Sequence, residues 1–109
     1  MIFTQSLKKN KEFLEVYQKG DSFANKYLVM YVLKNNTIKN RLGISISKKV
    51  GNSVKRNRLR RLIKENYRLS EEKYQKGLDI VVVARISSRD IGYKEVGSAL
   101  LHLKKLHKV

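Results

Sequence analysis

Residues 53–68 place apolar and basic side chains on opposite sides of a helix, and this pattern limits the folds open to the chain. At about 100° per residue, one arc collects the side chains expected to be buried, namely Leu59, Leu62, Ile63, Asn66 and Tyr67. The opposite arc, called the basic face below, consists of Asn57, Arg60, Arg61, Lys64 and Arg68. Such a helix needs an apolar layer against one side and leaves the other side to solvent or an anionic partner.

The basic residues of the chain are concentrated around this helix. The 109 residues include 25 Lys and Arg against 9 Asp and Glu, which gives a formal net charge of +16. Eight of the basic residues lie between Lys48 and Lys64, a span without a carboxylate. Like charges at i,i+4, such as Arg56 with Arg60, cost a helix about 0.2–0.5 kcal/mol per pair. Because Arg also matches phosphate with a planar fork of donors, this arrangement favours a nucleic acid as partner.

The composition excludes several other classes of protein. The chain has no cysteine, so disulfides and thiolate metal sites are impossible. An apolar fraction of 41% is too high for a disordered basic tail. No apolar run approaches the roughly 20 residues of a membrane span, and the first residues lack the pattern of a secretory signal. We therefore expect one domain over residues 1–109, and the lack of cysteine is compatible with a reducing cytosol.

Helical periodicity predicts a short first helix and a longer last one. Asn10 can cap a helix over residues 10–19, and Gly20 fits the position just past its end. Residues 91–107 repeat apolar side chains at helical spacing and form the last helix. The basic helix lies between them, with Asn52 or Ser53 as its cap.

Three or four segments are predicted to be strands. Residues 27–34 are apolar on both faces, residues 41–47 alternate with period two, and residues 79–85 read as a buried central strand. We expect the first two to pair as an antiparallel hairpin, with a short strand near residues 22–25 before them. The resulting order of helices and strands is typical of an α+β fold with a two-layer α/β sandwich.

The segment from Ser47 to Lys64 resembles the bacterial ribonuclease P protein component. Its most specific feature is the Arg56-Asn57-Arg58 block inside a basic helix, preceded by Ser-Lys-Lys-Val-Gly-Asn. The likeness continues in the first helix, in the strands on either side of the motif and in the last helix. The chain departs from the family at Ser53, where Ala is usual, and at Gly92, where Ser or Thr often caps the last helix. A third departure is Phe3–Ser6, which stands where the family often has basic residues.

The resemblance implies the order α-β-β-β-α-β-α, with an unusual left-handed β-α-β crossover through the basic helix. It also implies a protein subunit of an endoribonuclease that removes the 5′ leader from precursor tRNA. In that family the RNA carries the active site, so we expect no catalytic residue and no metal site in the protein, and Mg²⁺ bound through the RNA. The implied partners are one catalytic RNA and precursor tRNA, with no membrane and no obligate protein partner.

The resemblance implies two RNA-binding surfaces. The first, for the catalytic RNA, is assigned to residues of the basic helix and the turn before it: Lys48, Lys49, Asn52, Arg56, Asn57, Arg58, Arg60, Arg61 and Lys64. The second is a cleft between the first helix and the sheet that takes the single-stranded leader. It is assigned to Phe13, Tyr17, Tyr31, Ser45, Ser47, Ala84 and Arg85. Aromatic side chains beside cations suit single strands, because bases stack on them.

Two alternative functions compete with this interpretation. A non-catalytic RNA-binding module, such as a small ribosomal protein, would show a similar charge pattern. A cationic membrane-surface protein is less consistent with the sequence, because the apolar faces are needed for a core. His102 and His107 are spaced i,i+5, which suits surface or packing roles better than a shared ligand pair.

Overall fold

The computed structural model describes residues 1–109. It contains five strands and three α-helices: β1 (Thr4–Ser6), α1 (Asn10–Lys19), β2 (Asp21–Ala24), β3 (Leu28–Lys34), β4 (Asn40–Ser45), α2 (Ser53–Ser70), β5 (Leu78–Ala84) and α3 (Tyr93–His107). The α+β class and the predicted order of elements are confirmed, with β1 as an addition. The segment Phe3–Ser6, where the chain departs from the family pattern, supplies that strand. None of the three helices combines the length and the apolar composition that a membrane span requires.

The five strands form one mixed sheet in the order β1-β4-β5-β3-β2. Strand β5 pairs antiparallel with β3 and parallel with β4. Strands β2 and β3 form the antiparallel pair at one edge, and β1 pairs parallel with β4 at the other. The connection from β4 through α2 to β5 is therefore a β-α-β crossover between neighbouring parallel strands. Its left hand stays a prediction from the family resemblance.

The predicted hairpin between residues 27–34 and 41–47 is wrong. Strand β5 lies between these two strands, with Leu28 opposite Ala84 on one side and Arg41 beside Asp79 on the other. The physical reason is that β5 is apolar on both faces. The central position pairs both of its edges and lets helices cover both of its faces.

Helices α2 and α3 cover one face of the sheet and enclose the main core. The buried side of α2 consists of Leu59, Ile63 and Tyr67, as the helical periodicity of residues 53–68 predicts. Helix α3 contributes Val96, Ala99, Leu100 and Leu103. The sheet and this pair of helices form the two layers of the predicted sandwich.

Helix α1 lies on the opposite face of the sheet and covers only part of it. Its one fully buried side chain, Val16, packs with Leu7 and Val81. Asn10 is the first helical residue and not the cap; the Glu12 side chain instead accepts from the backbone N–H groups of Lys8 and Lys9. Gly20 ends α1 for a reason other than a left-handed conformation, since its φ is −79°. A Cβ there would lie 2.7 Å from the Val16 carbonyl oxygen, so the close approach of backbone requires glycine.

Candidate nucleic-acid interface

The basic face of α2 is presented to solvent along most of its length. Asn57, Arg61 and Lys64 are exposed, while the opposite side of the helix is in the core. Arg68 is also exposed, but it forms a two-pronged contact with Glu65 one turn earlier, at 2.6 and 3.0 Å. Arg61 and Lys64 make no ion pair within the chain. These two cations are therefore available to an anionic partner.

Other basic residues of α2 anchor the helix to its surroundings. The Arg58 guanidinium donates to the Ile91 carbonyl oxygen at 3.0 Å. Lys55 bonds to the Asp90 carboxylate at 2.7 Å, and this contact lowers the pKa of Asp90 below its usual range. The buried Nε of Arg56 has no hydrogen-bond partner. The predicted RNA-contact set thus contains side chains with different local roles, and Arg58 already has a structural one.

The turn between β4 and α2 carries the remaining predicted RNA contacts. Val50 is buried and fixes the turn in the core, while Lys48 and Lys49 are exposed beside it. The Asn52 side chain accepts from the Lys55 backbone N–H at 3.0 Å and is the cap of α2. Its side-chain oxygen is thereby committed to the helix end.

A groove of about 440 Å³ opens between α1 and the neighbouring end of β4, and it is called the α1–β4 groove below. The structure brings together three of the predicted leader residues here, Phe13, Tyr17 and Ser45. Its remaining lining is Asn10, Leu14, Ile44, Ile46 and Arg60. The groove is therefore apolar and aromatic along its walls, with a cation at one side.

Arg60 joins the basic face to the α1–β4 groove. Strand β1 covers only the first half of β4, and the final hydrogen bond along this edge is from the Leu7 N–H to the Leu42 carbonyl at 2.9 Å. The next carbonyl on that edge belongs to Ile44, and it accepts from the Arg60 guanidinium at 3.0 Å. The family resemblance assigns Arg60 to the surface that binds the catalytic RNA. In the structure its side chain lines the groove, because β1 ends before Ile44 and leaves that carbonyl to accept from the guanidinium. Helical periodicity does not reveal this contact, because it depends on where a distant edge strand stops.

The aromatic side chains predicted for the leader form one half-buried cluster. The rings of Tyr17 and Tyr31 meet edge to face, with centroids 4.9 Å apart. The rings of Phe13 and Tyr17 are tilted with centroids 6.4 Å apart. All three rings are half-buried, so each keeps some surface exposed.

Two predicted leader residues, Ala84 and Arg85, lie apart from this cluster. Ala84 faces the main core under α2 and α3, on the other side of the sheet from α1. The neighbouring Val83 and, two residues before it, Val81 are the β5 side chains that belong to the cluster with the aromatic rings. The assignment of Ala84 to the cleft is therefore corrected by one residue, because side chains alternate between faces along a strand. Because residues 79–85 are apolar on both faces, the sequence alone does not show which alternating series faces α1.

Arg85 and Ser47 stand at the ends of strands. Ser47 is exposed, two residues beyond β4. Arg85 follows β5 directly and is exposed, and its guanidinium donates to the Asn25 carbonyl at 2.8 Å. It lies two residues beyond Val83 on the same alternating series, at the far end of the open sheet face.

The two histidines occupy separate positions. His107 Nε2 donates to the Met30 carbonyl at 2.8 Å, and its ring packs edge to face against Phe23. His102 lies near Asn25, with 3.3 Å between Nδ1 and the side-chain nitrogen. No group of three or more His, Asp or Glu side chains is placed to share a metal ion.

A mixed five-stranded sheet with a basic amphipathic crossover helix, beside an aromatic groove, defines a small RNA-binding protein of the α+β class. The family model described as Ribonuclease P matches residues 1–107. The chain belongs to the ribonuclease P protein component family.

Relatives with that name support the assignment over nearly the full length. The protein component from Lachnoclostridium phytofermentans is 59% identical over 106 residues, covering 97% of this chain and 91% of the relative. The one from Clostridioides difficile is 53% identical over 103 residues, covering 94% and 90%.

Solved structures agree with the fold. The Staphylococcus aureus RNase P protein superposes with a TM-score of 0.87 at 39% identity, covering 95% of both chains. The Thermotoga maritima RNase P protein gives a TM-score of 0.83 at 33% identity, covering 93% of this chain and 96% of that one. The resemblance seen in the sequence is therefore confirmed, and it decides against a ribosomal protein family.

Proposed function

We propose that this chain is the protein subunit of a ribonuclease P holoenzyme, in which residues 1–109 act as one RNA-binding domain. It binds one catalytic RNA through the basic face and holds the 5′ leader of precursor tRNA in the α1–β4 groove. It thereby assists the endonucleolytic step that produces the mature 5′ end. The RNA supplies the active site together with its Mg²⁺, and the assembly works in the bacterial cytoplasm.

The observation that carries this proposal is the position of Arg60. Its guanidinium lies in the α1–β4 groove, and its helix carries Arg61 and Lys64 on the exposed side. An RNA held on α2 is therefore next to a groove that suits a single strand. Stacking on aromatic side chains is worth about 1–3 kcal/mol per base and tolerates different bases, as a leader of variable sequence requires.

The chemistry divides between the two surfaces. Phosphates on the basic face release counterions when they bind, which makes that contact strongly dependent on salt. The groove contributes ring faces and one cation, so its part of the affinity is less sensitive to salt. The protein in this scheme strengthens binding and orients the leader, while bond cleavage takes place on the RNA.

Reconstitution tests the proposal. The protein is mixed with a bacterial ribonuclease P RNA and precursor tRNA at low Mg²⁺, and the cleaved 5′ end is mapped. We expect faster cleavage at the mature 5′ end than with the RNA alone, and tighter binding of precursor than of mature tRNA. No gain in cleavage, or equal affinity for an unrelated folded RNA of the same length, would contradict the proposal.

A further inference from the structure

Strand β4 directs a series of side chains toward α1. Residues 41, 43 and 45 alternate onto that face of the sheet. Ser45 lines the α1–β4 groove, and Gly43 leaves room for the ring of Phe13. Arg41 is the first member of the series, and it lies where α1 begins.

Arg41 connects two carboxylates from different elements. Its Nε and Nη2 donate to the two oxygens of Asp79 on β5, at 2.8 and 2.6 Å. Its Nη1 donates to Glu12 of α1 at 2.5 Å. Asn35 also donates to Asp79, at 2.9 Å. The hydrogen bonds to Asp79 raise the pKa of Arg41 further, so the guanidinium stays charged.

Glu12 fastens the start of α1 with both oxygens. One oxygen binds Arg41, and the other accepts from the backbone N–H groups of Lys9 at 3.1 Å and Lys8 at 3.3 Å. The hydrogen bonds from Lys9 and Lys8, together with the charge of Arg41, hold the pKa of Glu12 below its usual range. The side chain of Glu12 is 27% exposed and that of Asp79 only 6%. The sheet end of this contact is therefore buried, and the helix end is at the surface.

The other attachments of helix α1 to the sheet are apolar. The helix spans ten residues, and Val16 is its only fully buried side chain. Phe13 and Tyr17, which line the α1–β4 groove, follow Glu12 on the same helix. The orientation of the groove wall therefore depends on the packing of Phe13, Val16 and Tyr17 against the sheet and, at the start of α1, on the polar contact of Glu12.

We propose that Arg41, acting through Glu12, is a positioning residue that fixes α1 at the distance from β4 at which the groove accepts a leader strand. This inference rests on the proposed function of the groove. Neither side chain lines the groove. The pair, called the Glu12–Arg41 clamp below, acts by restricting the motion of the helix that carries Phe13 and Tyr17.

The effect of Glu12 on the position of α1 can be distinguished from its electrostatic repulsion of RNA, because the two predict opposite changes in affinity. A carboxylate near an RNA site repels phosphate, so its removal alone should tighten RNA binding. Replacement of Glu12 by Gln raises the formal net charge from +16 to +17. The Glu12–Arg41 clamp predicts the opposite result for the leader, because the helix wall loosens.

The test compares Glu12→Gln with Glu15→Gln in the reconstituted holoenzyme. Glu15 lies on the same helix, is exposed and makes no ion pair, so its replacement changes the charge equally without altering the Glu12–Arg41 clamp. We expect Glu12→Gln to weaken binding of leader-bearing precursor about three- to fivefold while leaving mature tRNA unchanged. Glu15→Gln should bind both RNAs as well as the wild type or slightly better. Equal behaviour of the two variants would overturn the proposal.

A second variant tests the connection through Arg41. Lys in place of Arg41 keeps the charge but cannot bridge both carboxylates with a planar fork. We expect Arg41→Lys to reproduce the loss of Glu12→Gln, and the double variant to lose no more than either single one. Additive losses would mean that the two residues act separately, against the proposal.

Hydrogen exchange of the free protein separates this inference from the function on which it rests. The amides of α1 should exchange faster in Glu12→Gln than in Glu15→Gln, while the amides of β5 stay equally protected. Unchanged α1 exchange would refute the Glu12–Arg41 clamp even if the holoenzyme works. A wild-type holoenzyme that does not distinguish precursor from mature tRNA would instead refute the proposed function.

Discussion

The ring of Phe13 occupies the space that a side chain at Gly43 would need. A Cβ at Gly43 would lie 2.6 Å from Phe13 Cζ and 2.7 Å from its Cε1. Helix α1 thus rests on the sheet through a ring set against bare backbone. This packing makes Phe13 both a structural residue and a wall of the α1–β4 groove.

Gly43→Ala should displace Phe13 and destabilise the protein by about 1–3 kcal/mol, as overpacking does elsewhere. Urea unfolding measures the loss. The double variant Gly43→Ala with Phe13→Leu should recover part of it, because the smaller side chain vacates the space. Strictly additive losses would show that the ring and the glycine are not coupled.

Tyr17→Ala should weaken binding of leader-bearing precursor by about 1–3 kcal/mol, the value of one stacked base, and leave mature tRNA unaffected. Tyr17→Phe keeps the ring and should bind the precursor like the wild type. Equilibrium binding with the two RNAs measures the difference. An equal loss for both RNAs would place Tyr17 in a purely structural role against Tyr31.

Arg61→Ala combined with Lys64→Ala should flatten the dependence of catalytic-RNA affinity on salt. The slope of log affinity against log salt should fall by up to about 0.7–0.9 for each phosphate that the protein no longer neutralises. The matched control is Lys76→Ala with Lys105→Ala, which removes the same charge from exposed positions outside α2. If both pairs change the slope equally, the basic face has no special part in binding.

Strand β1 should detach in acid, because it is held by the buried carboxylate of Glu71. This side chain accepts from the Ile2 N–H at 2.8 Å and from the Thr4 hydroxyl at 2.9 Å. Burial raises the pKa of Glu71, but the hydrogen bonds from Ile2, Thr4 and Phe3 outweigh it and leave the pKa below the ordinary 4.5. The stabilisation is therefore complete above pH 4.5 and is lost as the pH falls through the lower pKa of the folded protein.

Unfolding free energies measured from about pH 6 to about pH 3 check this prediction. Glu71→Gln should remove part of the pH dependence, whereas Glu72→Gln, an exposed neighbour, should retain it. Amide exchange at Leu7, which donates to β4 beyond the end of β1, reports whether the strand itself is released. A pH dependence identical in both variants would contradict the role of Glu71.

Local patterns in the sequence predict much of this molecule. The helical periodicity of residues 53–68 correctly separates the buried Leu59, Ile63 and Tyr67 from the exposed Arg61 and Lys64, because helical geometry alone decides which side chains share a face. Strand alternation likewise places Ser45 on the α1 side. The error at Ala84 arose because residues 79–85 are apolar on both faces, and such a run does not indicate which side faces which helix.

Pairing between distant segments does not follow from such patterns. The position of β5 between β3 and β4, the short edge strand β1 and the Glu12–Arg41–Asp79 contact all join residues far apart in the chain. The spacing of apolar residues along a strand does not indicate which strands are its neighbours in the sheet. Sequential strands usually pair, so a hairpin of β3 and β4 is the expected arrangement, and it is wrong here.

By itself, the sequence determined the three helices, four of the five strands, the burial of one side of α2 and the basic character of the other, because periodicity and charge are local properties. Its motif also determined the family. Only the tertiary structure decided that Arg60 joins the basic face to the α1–β4 groove, that Phe13 packs on Gly43 and that Arg41 binds Glu12 of α1. Those relationships arise where separate segments meet, and the free energy of such contacts depends on the whole packed arrangement.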